Sequence, residues 1–283
     1  MRFSYWPSPA ADFLEIQSRC LLAERAGWDG VWLSDHLMPS SGDPATPVNE
    51  SFTTLAALAA TVPRLRLGHM VAGNTYRHPA LVAKMAAGID RISRGRFILG
   101  LGAAWQQNEH DCYGIPFYNA RERMARLDEA CRVIRSLLDN ETSCFDGQHY
   151  QLRAAPLSPK PFQPRLPLLI GGGGERLLLR VVACHADEWN VFATPEVLRH
   201  KVEVLERHCD AVNRDPSEIK RTVVLEPPRE RRGDAALIGN ALADYATLGV
   251  DEVVIRDSLL RAYGPGLPKS LESFLAETAA EFR

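Results

Sequence analysis

Residues 27–36 read Gly27-Trp28-Asp29-Gly30-Val31-Trp32-Leu33-Ser34-Asp35-His36, an apolar run that breaks into a polar cluster at its end. Its β-branched and aromatic content predicts a strand over Gly30–His36, and the Ala/Leu-rich stretch from Ser51 to Thr61 downstream carries helical period. Outward from here the same pairing of a short apolar run with a longer helical segment recurs along the chain. Strands are expected at Arg2–Trp6, Gly30–His36, Leu65–Val71, Phe97–Ala104, Leu166–Gly172, Glu188–Ala193, Lys220–Glu226 and Glu252–Asp257, each followed by a helix candidate. Eight such pairs favour an α/β fold closed into a (β/α)8 TIM barrel over an open doubly wound sheet.

Helix start signals fall just behind the strands: Ser51 precedes one helix, Pro79 opens another, and Asn119 precedes Arg121–Leu138. The rhythm breaks over 140–164, where Phe145-Asp146-Gly147-Gln148-His149-Tyr150 resembles a hairpin and prolines follow from Pro156 to Pro164. This segment reads as a short hairpin-like insertion after the fourth helix. The proline-containing loop Pro39–Asn49 is expected to stand above the barrel mouth as a lid or rim. The 283 residues suit one domain spanning 1–283.

Hydrophobic residues at 46% and charged residues at 24% fit a globular protein with a substantial core. With 33 basic and 35 acidic side chains the formal charge is -2, which leaves no electrostatic footprint for nucleic acid or an anionic membrane. A small-molecule partner is expected. Cys20, Cys112, Cys131, Cys144, Cys184 and Cys209 are scattered, without the Cys-x-x-Cys or His-x3-His spacing of a metal site. No metal is expected, and without an apolar run of roughly 18 residues the sequence reads as that of a cytoplasmic enzyme.

Functional groups of a parallel barrel gather where its strands end, because the loops there converge on one mouth. The second strand ends in Ser34-Asp35-His36, an acid beside a base that suits cofactor binding and proton transfer near neutral pH. A turn cap and a histidine on a backbone carbonyl would leave the same sequence. The fifth strand ends in Ile170-Gly171-Gly172-Gly173-Gly174, more glycine than a tight turn needs, where backbone without Cβ atoms can approach a phosphate and Arg176 can add charge. Leu99-Gly100-Leu101-Gly102-Ala103-Ala104-Trp105 ends the fourth strand. Its small residues suit a flat ring, or simply a tapering barrel. Arg77 and His78, after the third strand, either reach a substrate or brace their loop.

Taken together and in this order, these segments resemble the luciferase-like flavin and deazaflavin oxidoreductases, over nearly the whole chain. The most specific are Gly27–His36, Gly73-Asn74-Thr75-Tyr76-Arg77-His78-Pro79, Ile92-Ser93-Arg94-Gly95-Arg96, and Ile170–Gly174 with Ala186-Asp187-Glu188-Trp189-Asn190. Within the superfamily the chain is most similar to the actinobacterial branch using coenzyme F420, which includes deazaflavin-dependent glucose-6-phosphate and secondary-alcohol dehydrogenases. The resemblance implies hydride transfer between F420 and a small organic substrate. The alternative is an FMN-dependent luciferase-like monooxygenase.

By the same resemblance His36 is the catalytic, proton-handling residue and Asp35 contacts the cofactor. Ala72 falls where the family has a backbone bulge, often with a non-prolyl cis peptide, supporting the ring. Ala103, Ala104 and Asn108 match positions that touch the cofactor, and Gly173, Gly174, Arg176 and Leu177 match the phosphate-binding turn. Trp105, Trp6, Tyr76 and His78 shape the substrate pocket. In two places the chain departs from the pattern: Trp105 stands where the glucose-6-phosphate dehydrogenases carry a catalytic Glu, and Ala104 where many relatives have Gly. The stretch from Leu225 to Asp234 reads as too compact for an added lid. A homodimer is implied, paired through helices near strands two and three, where Leu55–Ala60 is rich in small residues. Both Asp35 and His36 are present, which argues against a catalytically silent barrel, and glycines in place of Lys or Glu at the strand ends argue against an isomerase or aldolase.

Overall fold

A computed structural model describes residues 1–227, 234–261 and 266–283. Its strands are β1 (Arg2–Trp6), β2 (Gly30–Leu33), β3 (Arg66–His69), β4 (Ala72–Gly73), β5 (Phe97–Gly102), β6 (Thr142–Asp146), β7 (Gln151–Pro156), β8 (Leu168–Gly171), β9 (Glu188–Phe192), β10 (Lys220–Leu225) and β11 (Glu252–Arg256). The order β3-β2-β1-β11-β10-β9-β8-β5 is parallel throughout, and pairing of Leu67 with Phe97 and Gly68 with Ile98 closes β3 onto β5. The result is the closed (β/α)8 barrel that the repeats predict. Two-residue β4 adds to β5 at the mouth, Ala72 beside Leu101 and Gly73 beside Gly102.

Helices α1 (Phe13–Ala26), α2 (Ser51–Thr61), α3 (Pro79–Ser93), α4 (Gln107–Tyr113), α5 (Ala120–Asp139), α6 (Leu178–His185), α7 (Pro195–Ala211) and α8 (Ala235–Thr247) lie between the strands in sequence. None among the described residues is long and apolar enough to cross a membrane. Alternation along the strands builds two layers. Outward-facing Phe3, Tyr5, Val31, Leu33, Leu67, Leu99, Ile170 and Val253 pack against the helices, while Trp6, Trp32, Met70, Ile98, Leu169, Val224 and Val254 fill the interior. Trp32 occupies the space that Gly68 leaves, since a Cβ there would stand 2.3 Å from its ring. Below it the barrel floor is ionic. Buried Glu252 accepts from Ser4 Oγ at 2.6 Å and Trp32 Nε1 at 2.7 Å and pairs with Arg2 and Arg66, while Arg66 also reaches Glu188 at 2.7 Å.

The structure differs from the sequence reading mainly at strand ends. Strands expected to reach His36, Val71, Ala104 and Gly172 stop at Leu33, His69, Gly102 and Gly171. Beyond those points side chains take over from the ladder, as where Asp35 accepts the Gly73 N–H at 3.0 Å. Ser51 opens α2 as its first residue while Glu50 caps it, accepting from Phe52 N at 3.1 Å and Thr53 N at 2.7 Å. The hairpin β6–β7 forms as expected. Its tip is seated on α5, where Glu129 accepts from the backbone of Gln148, His149 and Tyr150. Of the stretch from Leu225 to Asp234, residues 228–233 lie outside the described residues.

Candidate active site

The loops beyond the strand ends enclose a cavity of about 1160 Å³ at the barrel mouth. Its wall includes Trp6, residues 34–36, 70–73 and 102–106, and the Gly171–Gly174 turn, with Ser40, Ser41, Thr46 and Val48 of the rim loop. Val71, joined to Met70 by a cis peptide bond, occupies space left by three glycines. A Cβ at Gly102 or Gly171 would come within 2.6 or 2.7 Å of its methyl groups, and one at Gly100 within 2.0 Å of the His69 carbonyl oxygen. These glycines therefore admit the chain's own backbone and Val71, and Gly102, Gly171 and Val71 themselves form part of the cavity wall.

Asp35 is buried and fully engaged. It accepts from Ser51 Oγ at 2.7 Å, from the Gly73 N–H, and from both Arg77 terminal nitrogens at 2.7 and 3.1 Å. Burial pushes its carboxyl up, but the Arg77 guanidinium, together with His69 and the Ser51 hydroxyl, holds it below the usual carboxylate range. Arg77 also binds Glu50 at 2.6 Å, so it braces the mouth.

His36 points differently. Its Nδ1 lies 2.9 Å from Glu109 Oε1, its ring meets Trp105 edge-on at 5.6 Å, and it lines the cavity. Glu109, on α4, is buried and also accepts from Leu37 N at 2.7 Å and from the Tyr76 hydroxyl. Burial pushes the Glu109 carboxyl up, yet the hydrogen bonds from His36, Tyr76 and Leu37 hold it below its ordinary value.

At the glycine turn, Gly172 adopts φ 132°, and its N–H donates to Asn190 O at 2.9 Å. Among the described residues the Gly173 and Gly174 amides donate to no backbone carbonyl. Helix α6 starts only at Leu178, so a turn separates the glycines from it and the helix dipole stands farther off than the sequence implies. The cation seated at the turn is Lys201 of α7. Its Nζ donates to Gly173 O at 2.7 Å and pairs with Glu175 at 3.1 Å. Arg176 and Leu177 are exposed and lie outside the cavity wall.

The profile of the family described as luciferase-like monooxygenase matches residues 1–250. The chain belongs to the luciferase-like monooxygenase family. An uncharacterized protein of Mycobacterium tuberculosis (strain ATCC 25618 / H37Rv) is 28% identical, covering 82% of this chain and 83% of its own. The F420-dependent glucose-6-phosphate dehydrogenase of Kineococcus radiotolerans is 36% identical over 59% of this chain, which spans 48% of that enzyme. Among solved structures, an F420-dependent secondary alcohol dehydrogenase in complex with an F420-acetone adduct superposes with a TM-score of 0.87 at 18% identity, covering 100% of this chain and 99% of the other. At that identity the likeness shows the fold.

In this luciferase-like barrel Ala72, Ala103, Ala104 and Trp105 all line the cavity, and Ala104 takes the left-handed φ of 62° that glycine adopts more readily. The cis bond falls at Met70–Val71, just before Ala72. Asn108 donates to Pro39 O at 3.2 Å, Gln106 to Met38 O at 3.0 Å and Tyr113 to Leu37 O at 3.2 Å, so this end of the barrel grips the rim loop. Tyr76 and His78 stand outside the cavity wall. Tyr76 backs Glu109, and His78 caps α3 by accepting from Ala80 N at 3.2 Å. Glu109 and Lys201 were not among the sequence candidates. The rule that selects His36 extends to the first turn of the helix after a strand end, and there Glu109 lies; Lys201, mid-helix in a charged stretch, carries no comparable signal.

Proposed function

We propose that this chain is an F420-dependent oxidoreductase that moves a hydride between the deazaflavin and a small organic substrate. The observation that carries the reading is one cavity joining the backbone amides of Gly173 and Gly174, which among the described residues donate to no backbone carbonyl, to the imidazole of His36. The residues fit the cofactor: amides with Lys201 behind them suit a phosphate, and the small side chains of Ala72, Ala103 and Ala104 suit a flat ring. When bound, the deazaflavin supplies a two-electron hydride carrier that reacts poorly with oxygen. The protein's own part is to hold the ring face toward Trp105 and His36, exclude water with the rim loop, and exchange a proton at His36. Asn108 serves by fixing that loop, Arg176 and Leu177 by flanking the turn, and Tyr76 and His78 by supporting the wall from behind. Asp35 acts through the backbone it pins. The F420-dependent names of relatives at 36% and 35% identity over about half of this chain support the cofactor choice.

The test is to mix the protein with reduced F420 and a panel of small ketones and follow reoxidation of the cofactor. Carbonyl-dependent reoxidation is expected. Inert reduced F420, with oxygen consumption when reduced FMN is supplied, would favour the monooxygenase. We also propose that two copies pair through the outer face of α3, where Leu81, Met85, Gly88 and Ile92 share one side of the helix.

A further inference from the structure

We propose that Glu109 is a positioning residue for proton transfer, holding the His36 ring with its hydrogen on Nδ1 so that Nε2 is the atom that exchanges a proton in the cavity. This rests on the reading that His36 handles the proton. The geometry of Glu109 carries it. The carboxylate is buried without exposure, and its oxygens meet three groups from two parts of the chain: His36 Nδ1 and the Leu37 N–H after β2, and the Tyr76 hydroxyl after β4. An ionised carboxylate only accepts, so the hydrogen between Glu109 and His36 belongs to the ring. A neutral imidazole carries a single N–H, and with that hydrogen on Nδ1 the lone pair falls on Nε2.

Tyr76 keeps the arrangement in register. Burial, then its hydrogen bond to Glu109, pushes its phenol far above the ordinary value, so it stays a donor to the carboxylate. Its ring fills the space that Gly73 leaves without a Cβ, which fixes where the hydroxyl points. Leu37 N anchors the other oxygen. Together these two donors leave His36 one position at which to meet Glu109. During reduction a hydride forms the new C–H bond, the substrate oxygen keeps the electron pair of the broken C=O π bond and takes the proton from Nε2 of the imidazolium, and the ring returns to the neutral form with hydrogen on Nδ1. Oxidation runs the proton back from the alcohol O–H to Nε2. Such carboxylate–histidine pairing sets a ring's tautomer and stabilises its charged form at the moment of transfer.

The experiment uses histidine labelled at its ring nitrogens, whose NMR shifts separate the two neutral tautomers, in the protein without added cofactor. At about pH 8.5, where an ordinary histidine is neutral, the His36 signal is assigned by its loss in His36→Ala. Wild type should show hydrogen on Nδ1, and Glu109→Gln should move His36 toward the other tautomer. Glu109→Gln should also lower kcat about 100-fold or more, with KM changed only several-fold, as for a misplaced acid or base. Tyr76→Phe, which keeps the carboxylate, should retain the wild-type tautomer. A wild-type ring with hydrogen on Nε2 would overturn the proposal, even if Glu109→Gln does not fold. An unchanged tautomer in folded Glu109→Gln would do the same. A wild-type rate of proton-coupled turnover in His36→Ala, beside an Nδ1–H ring, would overturn the reading of His36 itself and leave only the tautomer standing.

Discussion

His69 shows how much a single side chain can hold without taking part in chemistry. It is fully buried at the end of β3, with its ring 4.1 Å from that of Phe52 and 5.7 Å from that of Phe97. Among the described residues neither of its ring nitrogens makes a hydrogen bond. Burial lowers its pKa from 6.5 to about 4. Because the folded value is depressed, the unfolded chain takes up the proton first as pH falls. The stability that neutral His69 permits is therefore complete above about pH 6.5 and lost progressively toward pH 4, by on the order of 3 kcal/mol at most. His69→Phe should flatten urea-unfolding stability between those pH values; a variant that keeps the wild-type slope would assign the acid sensitivity elsewhere. At this scale the sequence was half legible. Asp35 and His36 stand out because an acid and a base directly follow an apolar run. Glu109 does not, because its partner His36 is 73 positions away, and in Gln107-Asn108-Glu109-His110-Asp111 it reads as one more solvated charge.

Among the elements, the strands were legible in number and order because period-two alternation and turn residues are local signals. Their ends were not, because a strand stops where its neighbour stops offering a ladder, and only the closed barrel sets that point. The glycines make the same distinction. At Gly100, Gly102 and Gly171 a Cβ would meet Val71 or the His69 carbonyl, so their lack of Cβ serves the barrel even where Gly102 and Gly171 line the cavity, whereas at Gly174 a Cβ would meet only Leu178 at ordinary contact distance. A test of phosphate binding should avoid Gly173, where a Cβ would press Val191 at 3.2 Å and Lys201 at 3.3 Å. At Gly174 a Cβ would meet only Leu178, at an ordinary 3.5 Å. Gly174→Ala should thus leave the thermal midpoint within a degree or two of wild type while weakening F420 binding about tenfold or more, roughly 1.4 kcal/mol. Unchanged F420 affinity in that variant would remove the turn from the cofactor site.

The whole molecule adds two consequences of surface and cavity. Leu81 and Ile92 on α3 are 52% and 48% exposed, and on one side of a helix they make an apolar strip suited to a second copy. The Leu55–Ala60 stretch contributes less than its composition suggests, because Leu55, Leu58 and Ala59 are buried against the barrel. Light scattering should give a dimer mass for wild type and a monomer mass for Ile92→Glu; a wild-type monomer at all concentrations would contradict the pairing. For the central claim, the most direct measurement is equilibrium titration of the purified protein with F420 and with FMN side by side. F420 should saturate one site per chain at a lower concentration than FMN, and lose affinity in Gly174→Ala. Tight FMN binding with none for F420 would contradict the deazaflavin assignment.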